Sequence, residues 1–195
     1  MLVVVSDTHG TDSHRLEGST LKAVRSADLV VHAGDFTTNA VLDGFEDVTE
    51  RLVAVHGNVD EPAVRERLPP TRTFEESGLR IALTHRRDGG DTGLALFGRE
   101  RDADLVVSGH SHRPRFLDAG DVALLNPGSH AQPRGNRPAH AELFPGDGRE
   151  SDAIPGEESA GDAIPEKGSA GATIRGRLRQ PDGTVFEEFA IRSRR

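Results

Sequence analysis

The chain has no cysteine, no run of eighteen apolar residues, and only 2 lysines against 22 arginines. Without cysteine there is no disulfide and no thiolate ligand, so a bound metal must be held by His, Asp, Glu or Asn, a set that favours hard or borderline divalent ions. The missing apolar run excludes a membrane-spanning helix. Met1 leads straight into Leu2-Val3-Val4-Val5 with no charged-then-apolar leader, and the expectation is a soluble, cytoplasmic protein with no membrane partner. Hydrophobic residues make up only 34%, so part of the chain is not core. A net charge of −8 with no basic stripe disfavours nucleic acid as a partner. The arginine preference fits a salt-adapted surface and genomic base composition equally well.

What is present is a rhythm of strand, polar turn and helix. Apolar runs at Leu2–Ser6, Leu29–His32 and Leu52–Val55 alternate with helical patterns at Gly18–Ser26, Val41–Glu46 and Ala63–Arg67, the last closing before Pro69-Pro70. Arg72–Glu75 and Leu79–Thr84 read as a hairpin turned at Ser77-Gly78, and Asp91–Asp102 as a helix. Leu105–Ser108 is too short for a helix and rich in β-branched residues, so it reads as a buried strand stopped by Gly109. Antiparallel strands are expected at Arg115–Ala119, Val122–Leu125, His140–Phe144, Thr173–Leu178 and Val185–Ile191. From about 145 to 171 the chain turns to Gly, Glu, Asp, Ser, Ala and Pro, and Asp152–Gly161 recurs as Asp162–Gly171. This duplicated insertion has too few large apolar residues for a core and is expected to be a flexible loop within one domain spanning 1–195.

Five strands end in residues able to bind a metal. Asp7 and His9 follow the first, Asp35 the second, Asn58 the third, His85 the fifth, and His110 with His112 the sixth. The carboxyl ends of parallel strands line one edge of a sheet, where ligands collect. Seven donors of mixed nitrogen and oxygen type exceed the needs of one ion, whereas two ions sharing a carboxylate would use them all.

Asp7-Thr8-His9, Gly34-Asp35, Gly57-Asn58-Val59-Asp60, Thr84-His85 and Gly109-His110-Ser111-His112 resemble, in order and spacing, the signature of the calcineurin-like metallophosphoesterases. Asn126-Pro127-Gly128-Ser129 narrows the resemblance to the small YfcE-type phosphodiesterase branch. The resemblance implies a four-layer α/β/β/α sandwich, with Asp7, His9 and His112 on the first metal, Asn58, His85 and His110 on the second, and Asp35 bridging. It implies hydrolysis of a small phosphate ester, a diester first, by a bridging hydroxide in in-line attack, with no catalytic side chain beyond the metal ligands. The two divalent ions would be manganese first, with nickel, iron, zinc or cobalt as alternatives. A homo-oligomer is left open. The rival reading is a non-catalytic, protein-binding scaffold of the same fold, retromer-subunit-like.

Two departures stand out. Many larger relatives carry a histidine at the position of Val59 that assists the leaving group, and valine has no proton to give. His85 is followed by Arg86-Arg87-Asp88 where close relatives commonly have Gly-His. Blander roles are expected elsewhere. Asp60 caps a helix or orients Asn58; His32 and His56 are core or turn residues; His14, His130 and His140 are structural or exposed, His130 near the pocket. Asp7 and Asp35 could cap helices, yet capping would not require His9 or Gly34.

Overall fold

The computed structural model describes residues 1–145 and 173–194, and the duplicated segment, with its expected flexibility, lies outside them. Among the described residues are eleven strands and four helices: β1 (Leu2–Val5), α1 (Gly18–Ser26), β2 (Leu29–His32), α2 (Asn39–Val48), β3 (Leu52–Ala54), α3 (Pro62–Arg67), β4 (Thr71–Glu76), β5 (Leu79–Thr84), α4 (Gly90–Arg99), β6 (Leu105–Val107), β7 (Arg115–Asp118), β8 (Ala123–Asn126), β9 (His140–Pro145), β10 (Thr173–Arg179) and β11 (Val185–Arg192). The elements expected from the sequence are all present, some with unchanged bounds and the others with ends moved by at most three residues. Ser108, for instance, lies beyond β6, which ends at Val107.

The strands form two sheets, one ordered β11-β10-β9-β1-β2-β3 and the other β4-β5-β6-β8-β7. β1, β2 and β3 run parallel, with Val4 opposite Val31 and Val31 opposite Val53. β5, β6 and β8 run parallel in the second sheet.

Alternation of side chains builds the layers. On β1, Val3 and Val5 join Val24 of α1 and Val41, Leu42 and Phe45 of α2 in an outer core. Leu2 and Val4 face the other way and meet Leu79, Ile81 and Leu83 of β5 and Leu105 and Val107 of β6 between the sheets. Val106 points outward again to pack with Ala95 and Phe97 of α4. The central strands are apolar on both faces because both faces are covered. Each such Val, Leu or Phe side chain contributes about 1.5–3 kcal/mol on burial. The result is helices, sheet, sheet, helix: the α/β/β/α sandwich.

Candidate metal centre

The donors approach one another from two sheets, not along the edge of one. The turns after β1, β2 and β3 bring Asp7, His9, Asp35 and Asn58 from the first sheet, and those after β5 and β6 bring His85, His110 and His112 from the second. Backbone bonds lace these turns together: Asp7 N–H donates to Gly34 O at 3.0 Å, His9 N–H to Asp35 O at 3.0 Å, and Gly109 N–H to His85 O at 3.0 Å. Left-handed backbone recurs at the donors, with φ of 54° at Asp7, 46° at His9, 61° at Asp35, 69° at His110 and 56° at His112. Each such residue costs about 1–2 kcal/mol, and strain of this kind persists where the surroundings over-determine the conformation, commonly at functional sites.

Two groups of side chains form. In the first, His112 Nε2 stands 3.1 Å from His9 Nε2 and 3.3 Å from Asp7 Oδ1, and His9 Nε2 is 3.8 Å from the same oxygen. In the second, His85 Nε2 stands 3.2 Å from Asp35 Oδ2 and 3.1 Å from Asn58 Oδ1. Asp35 Oδ2 is also 3.6 Å from His9 Nε2, so this carboxylate touches both groups. Asp7 likewise belongs to two sets of donor atoms compact enough to hold an ion, Asp7-His9-His112 and Asp7-Asp35-His85. His110 stands apart from both sets: it is exposed, its ring centroid is 5.3 Å from that of His85, and its backbone N–H donates to Asp7 Oδ2 at 2.9 Å.

The imidazoles are oriented from behind. His85 Nδ1–H donates to Ala33 O at 2.8 Å, and His112 Nδ1–H donates to Gln132 O. In each neutral ring this fixes the tautomer and leaves Nε2 as a bare lone pair, the usual arrangement behind a metal-bound histidine. The Nε2 atom of His85 faces two oxygens, and that of His112 a carboxylate oxygen and another imidazole. Lone pairs converging at these distances call for a proton or a cation between them, so the donor set fits divalent ions.

The charge states agree. Burial pushes Asp7 above the usual carboxylate range. Burial also raises Asp35, but the His85 hydrogen bond and charge and the Val59 N–H outweigh it and hold Asp35 at about 2. For His85 the order is the reverse: burial lowers it, and Asp35 with Asp7 raises it above the ordinary histidine value. Burial brings His9 down to about 4 despite Asp35, with His112 adding to the fall.

Several supports gave little or no sequence signal. Asp60 is buried, and its carboxylate accepts the N–H groups of Gly57 at 2.6 Å, Thr37 at 2.6 Å and Asp35 at 3.1 Å. It shapes the Asp35 turn, where the sequence suggested a helix cap or a partner for Asn58. Ser129 Oγ, fully buried, donates to Asp7 O at 2.7 Å and accepts from Gln132 N–H at 2.8 Å, so this end of the Asn126–Ser129 motif holds the Asp7 turn. Asn126 Nδ2 donates to Gly109 O at 2.7 Å. His32 is a core residue, hydrogen-bonded to Thr8 Oγ1 at 2.9 Å and stacked on Phe36 at 3.6 Å. His130 and His140 are both buried, and His140 pairs with Glu142.

An α/β sandwich of two sheets with a carboxylate and imidazole cluster at its strand ends defines the class. Residues 1–145 match the calcineurin-like phosphoesterase superfamily domain, and the chain belongs to that superfamily. It is 36% identical to a probable metallophosphoesterase of Methanothermobacter thermautotrophicus, over 78% of this chain and 90% of that protein. It is also 28% identical to the phosphodiesterase YfcE of Escherichia coli K12, over 75% of this chain and 88% of that protein. The Vps29 structure from Chaetomium thermophilum shares the fold, with a TM-score of 0.71 over 98% of both chains at 16% identity.

Proposed function

We propose that this protein is a phosphodiesterase working through two divalent ions, one held by Asp7, His9 and His112, the other by Asn58, His85 and His110, with Asp35 between them. The observation that carries the reading is the convergence of imidazole Nε2 atoms and carboxylate oxygens around shared space, with His85 and His112 each fixed from behind by a backbone carbonyl. The YfcE relative supports the diester as substrate. When bound, a pair of divalent ions supplies hydroxide at neutral pH and neutralises charge on the phosphoryl oxygens. The chain's own part is to hold the donors. Asp60 holds the Asp35 backbone N–H and Val59 N–H holds the Asp35 carboxylate, Ser6 and His110 N–H fix Asp7, and neutral Asn58 adds an oxygen without adding charge. Asp7 and Asp35 together carry two negative charges against four from the cations, so the cluster stays attractive to a phosphate diester.

Val59 is 41% exposed and offers no side-chain proton. The reading therefore includes a preference for diesters with good leaving groups. Val59→His should raise turnover of an alkyl diester about tenfold and leave aryl diesters nearly unchanged; equal rates on both substrate types in the parent would contradict the preference.

The deciding experiment measures bound metal on the purified protein and assays bis(4-nitrophenyl) phosphate with Mn2+ before and after chelation. Metal-dependent turnover that Asp35→Ala abolishes is expected. Fewer than one metal per chain, no turnover, and Asp35→Ala indistinguishable from the parent would replace this reading with the scaffold.

A further inference from the structure

The turn that carries Asn58 lies open to solvent. Gly57 and Asp60 are buried, but Asn58 and Val59 between them are exposed, so core packing cannot fix where the Asn58 amide points. From inside, the Asp60 carboxylate draws in the Gly57 and Asp35 N–H groups, and the Asp35 carboxylate accepts Val59 N–H at 3.1 Å. From outside, one side chain grips the turn. Arg65 Nε–H donates to Asp60 O and Arg65 Nη2–H to Asn58 O, both at 2.7 Å. Nε and Nη2 lie on one edge of the planar guanidinium, so a single rigid fork spans the carbonyls on either side of Val59.

The platform behind that fork is firm. Arg65 stands on α3, where Val64 is buried. Glu61, just before the helix, donates its N–H to Thr37 O at 2.9 Å and accepts Asn39 N–H on its carboxylate at 2.7 Å. Arg67 ties α3 to α2 through Asp43 at 2.5 Å and Glu46 at 2.6 Å. One arginine holds the helix, and the other holds the turn. Asn58 Oδ1 stands 3.1 Å from His85 Nε2, and a neutral amide has no net charge to pull it onto an ion, so its position must come from the chain.

We propose that Arg65 is a positioning residue for the second metal site: by clamping the carbonyls of Asn58 and Asp60 it aims Asn58 Oδ1 into the space shared with His85. This rests on the two-ion reading and adds a residue that acts through Asn58. Charge alone makes the opposite prediction. A guanidinium near the centre repels a cation, so on charge alone Arg65→Gln would tighten ion binding and Arg65→Lys would leave it unchanged. Loss of the fork weakens binding in both variants, because lysine keeps the charge as a single point and cannot span two carbonyls.

Zn2+ titration followed at the ring nitrogens of 15N-labelled protein reads the two sites separately, His112 for the first and His85 for the second. In Arg65→Gln and Arg65→Lys, half-saturation at His85 should need at least about tenfold more zinc, with His112 moved less than about threefold. Arg67→Gln, which cuts ties between α2 and α3, should lower stability in urea and leave half-saturation at His85 in place. A second measure needs no metal. In the chelated protein, the hydrogen-bonded Gly57 and Val59 amides should exchange about tenfold faster in both Arg65 variants than in the parent, and not in Arg67→Gln. No loss at His85 in either Arg65 variant, tighter zinc in Arg65→Gln, or equal losses at His85 and His112 would overturn the proposal. So would an Arg67→Gln effect at His85 as large as that of Arg65→Gln, or unchanged amide exchange. Parent rings that ignore zinc, or that saturate together at one equivalent, would overturn the two-ion reading alone, because amide exchange still decides the role of Arg65.

Discussion

At the scale of single residues, the candidate centre depends on groups that would never touch an ion. Asp60 gathers three backbone N–H groups from Gly57, Asp35 and Thr37, so its charge fixes where the Asp35 carboxylate stands. Asp60→Asn should lower metal affinity about 10–100-fold with the donors intact, read by metal titration. Gly57 sets a second limit, since a Cβ there would lie 2.0 Å from Asp35 Oδ1. His130 makes a separate prediction. Its Nε2–H donates to His14 O at 3.2 Å, and burial, only partly opposed by that bond, holds it at about 4. The unfolded chain takes up this proton first, so stability is full above the ordinary value of 6.5 and is lost as pH falls towards 4. Between pH 7.5 and about pH 5 the loss from this residue is roughly 2 kcal/mol, and His130→Gln should remove that part of the pH dependence in urea unfolding.

At the scale of elements, β9 joins the parallel part of the first sheet to the β10–β11 hairpin, pairing antiparallel with β1 on one side and β10 on the other. Its Glu142 is 2% exposed and is held by Arg177 at 2.5 Å and His140 at 3.2 Å. Burial pushes this carboxyl up, but His140 and Arg177 together bring it below the usual carboxylate range. Its contribution is therefore present at neutral pH and lost as the carboxylate protonates in acid. Glu142→Gln leaves the arginine without its charge partner. Because Arg177 reaches solvent, the loss should be smaller than for a fully buried pair, roughly 2 kcal/mol in urea unfolding at neutral pH with an unchanged m-value.

At the scale of the whole molecule, the centre links the two sheets. Ions bound there would hold the turns after β1 and β2 against those after β5 and β6, and binding energy appears as stability when the unfolded chain lacks the site. At a hundredfold excess over Kd, one ion contributes about 2.7 kcal/mol, or about 5–10 °C in Tm for a chain of this size. Mn2+ should therefore raise Tm by at least about 5 °C over the chelated protein, and Asp35→Ala should abolish the rise. An equal rise in that variant would mean that the ion binds elsewhere.

The strand and helix pattern was legible from periodicity because the central strands are β-branched, the helices amphipathic, and the turns marked by glycine and proline. The seven candidate donors stood out because each follows an apolar run at a turn, and the structure brings six of them together while His110 stands apart. Asp60, Ser129 and the carbonyls of Ala33 and Gln132 did not, since a backbone carbonyl carries no residue-type signal and a buried hydroxyl looks like any other serine. The chain itself determined which donors exist and, by lacking cysteine, what kind of ion they suit. Only the tertiary structure decided that the donors come from two sheets and that Asp7 and Asp35 both stand between the imidazoles. Those relations join residues more than a hundred positions apart, and packing of one sheet on the other creates them.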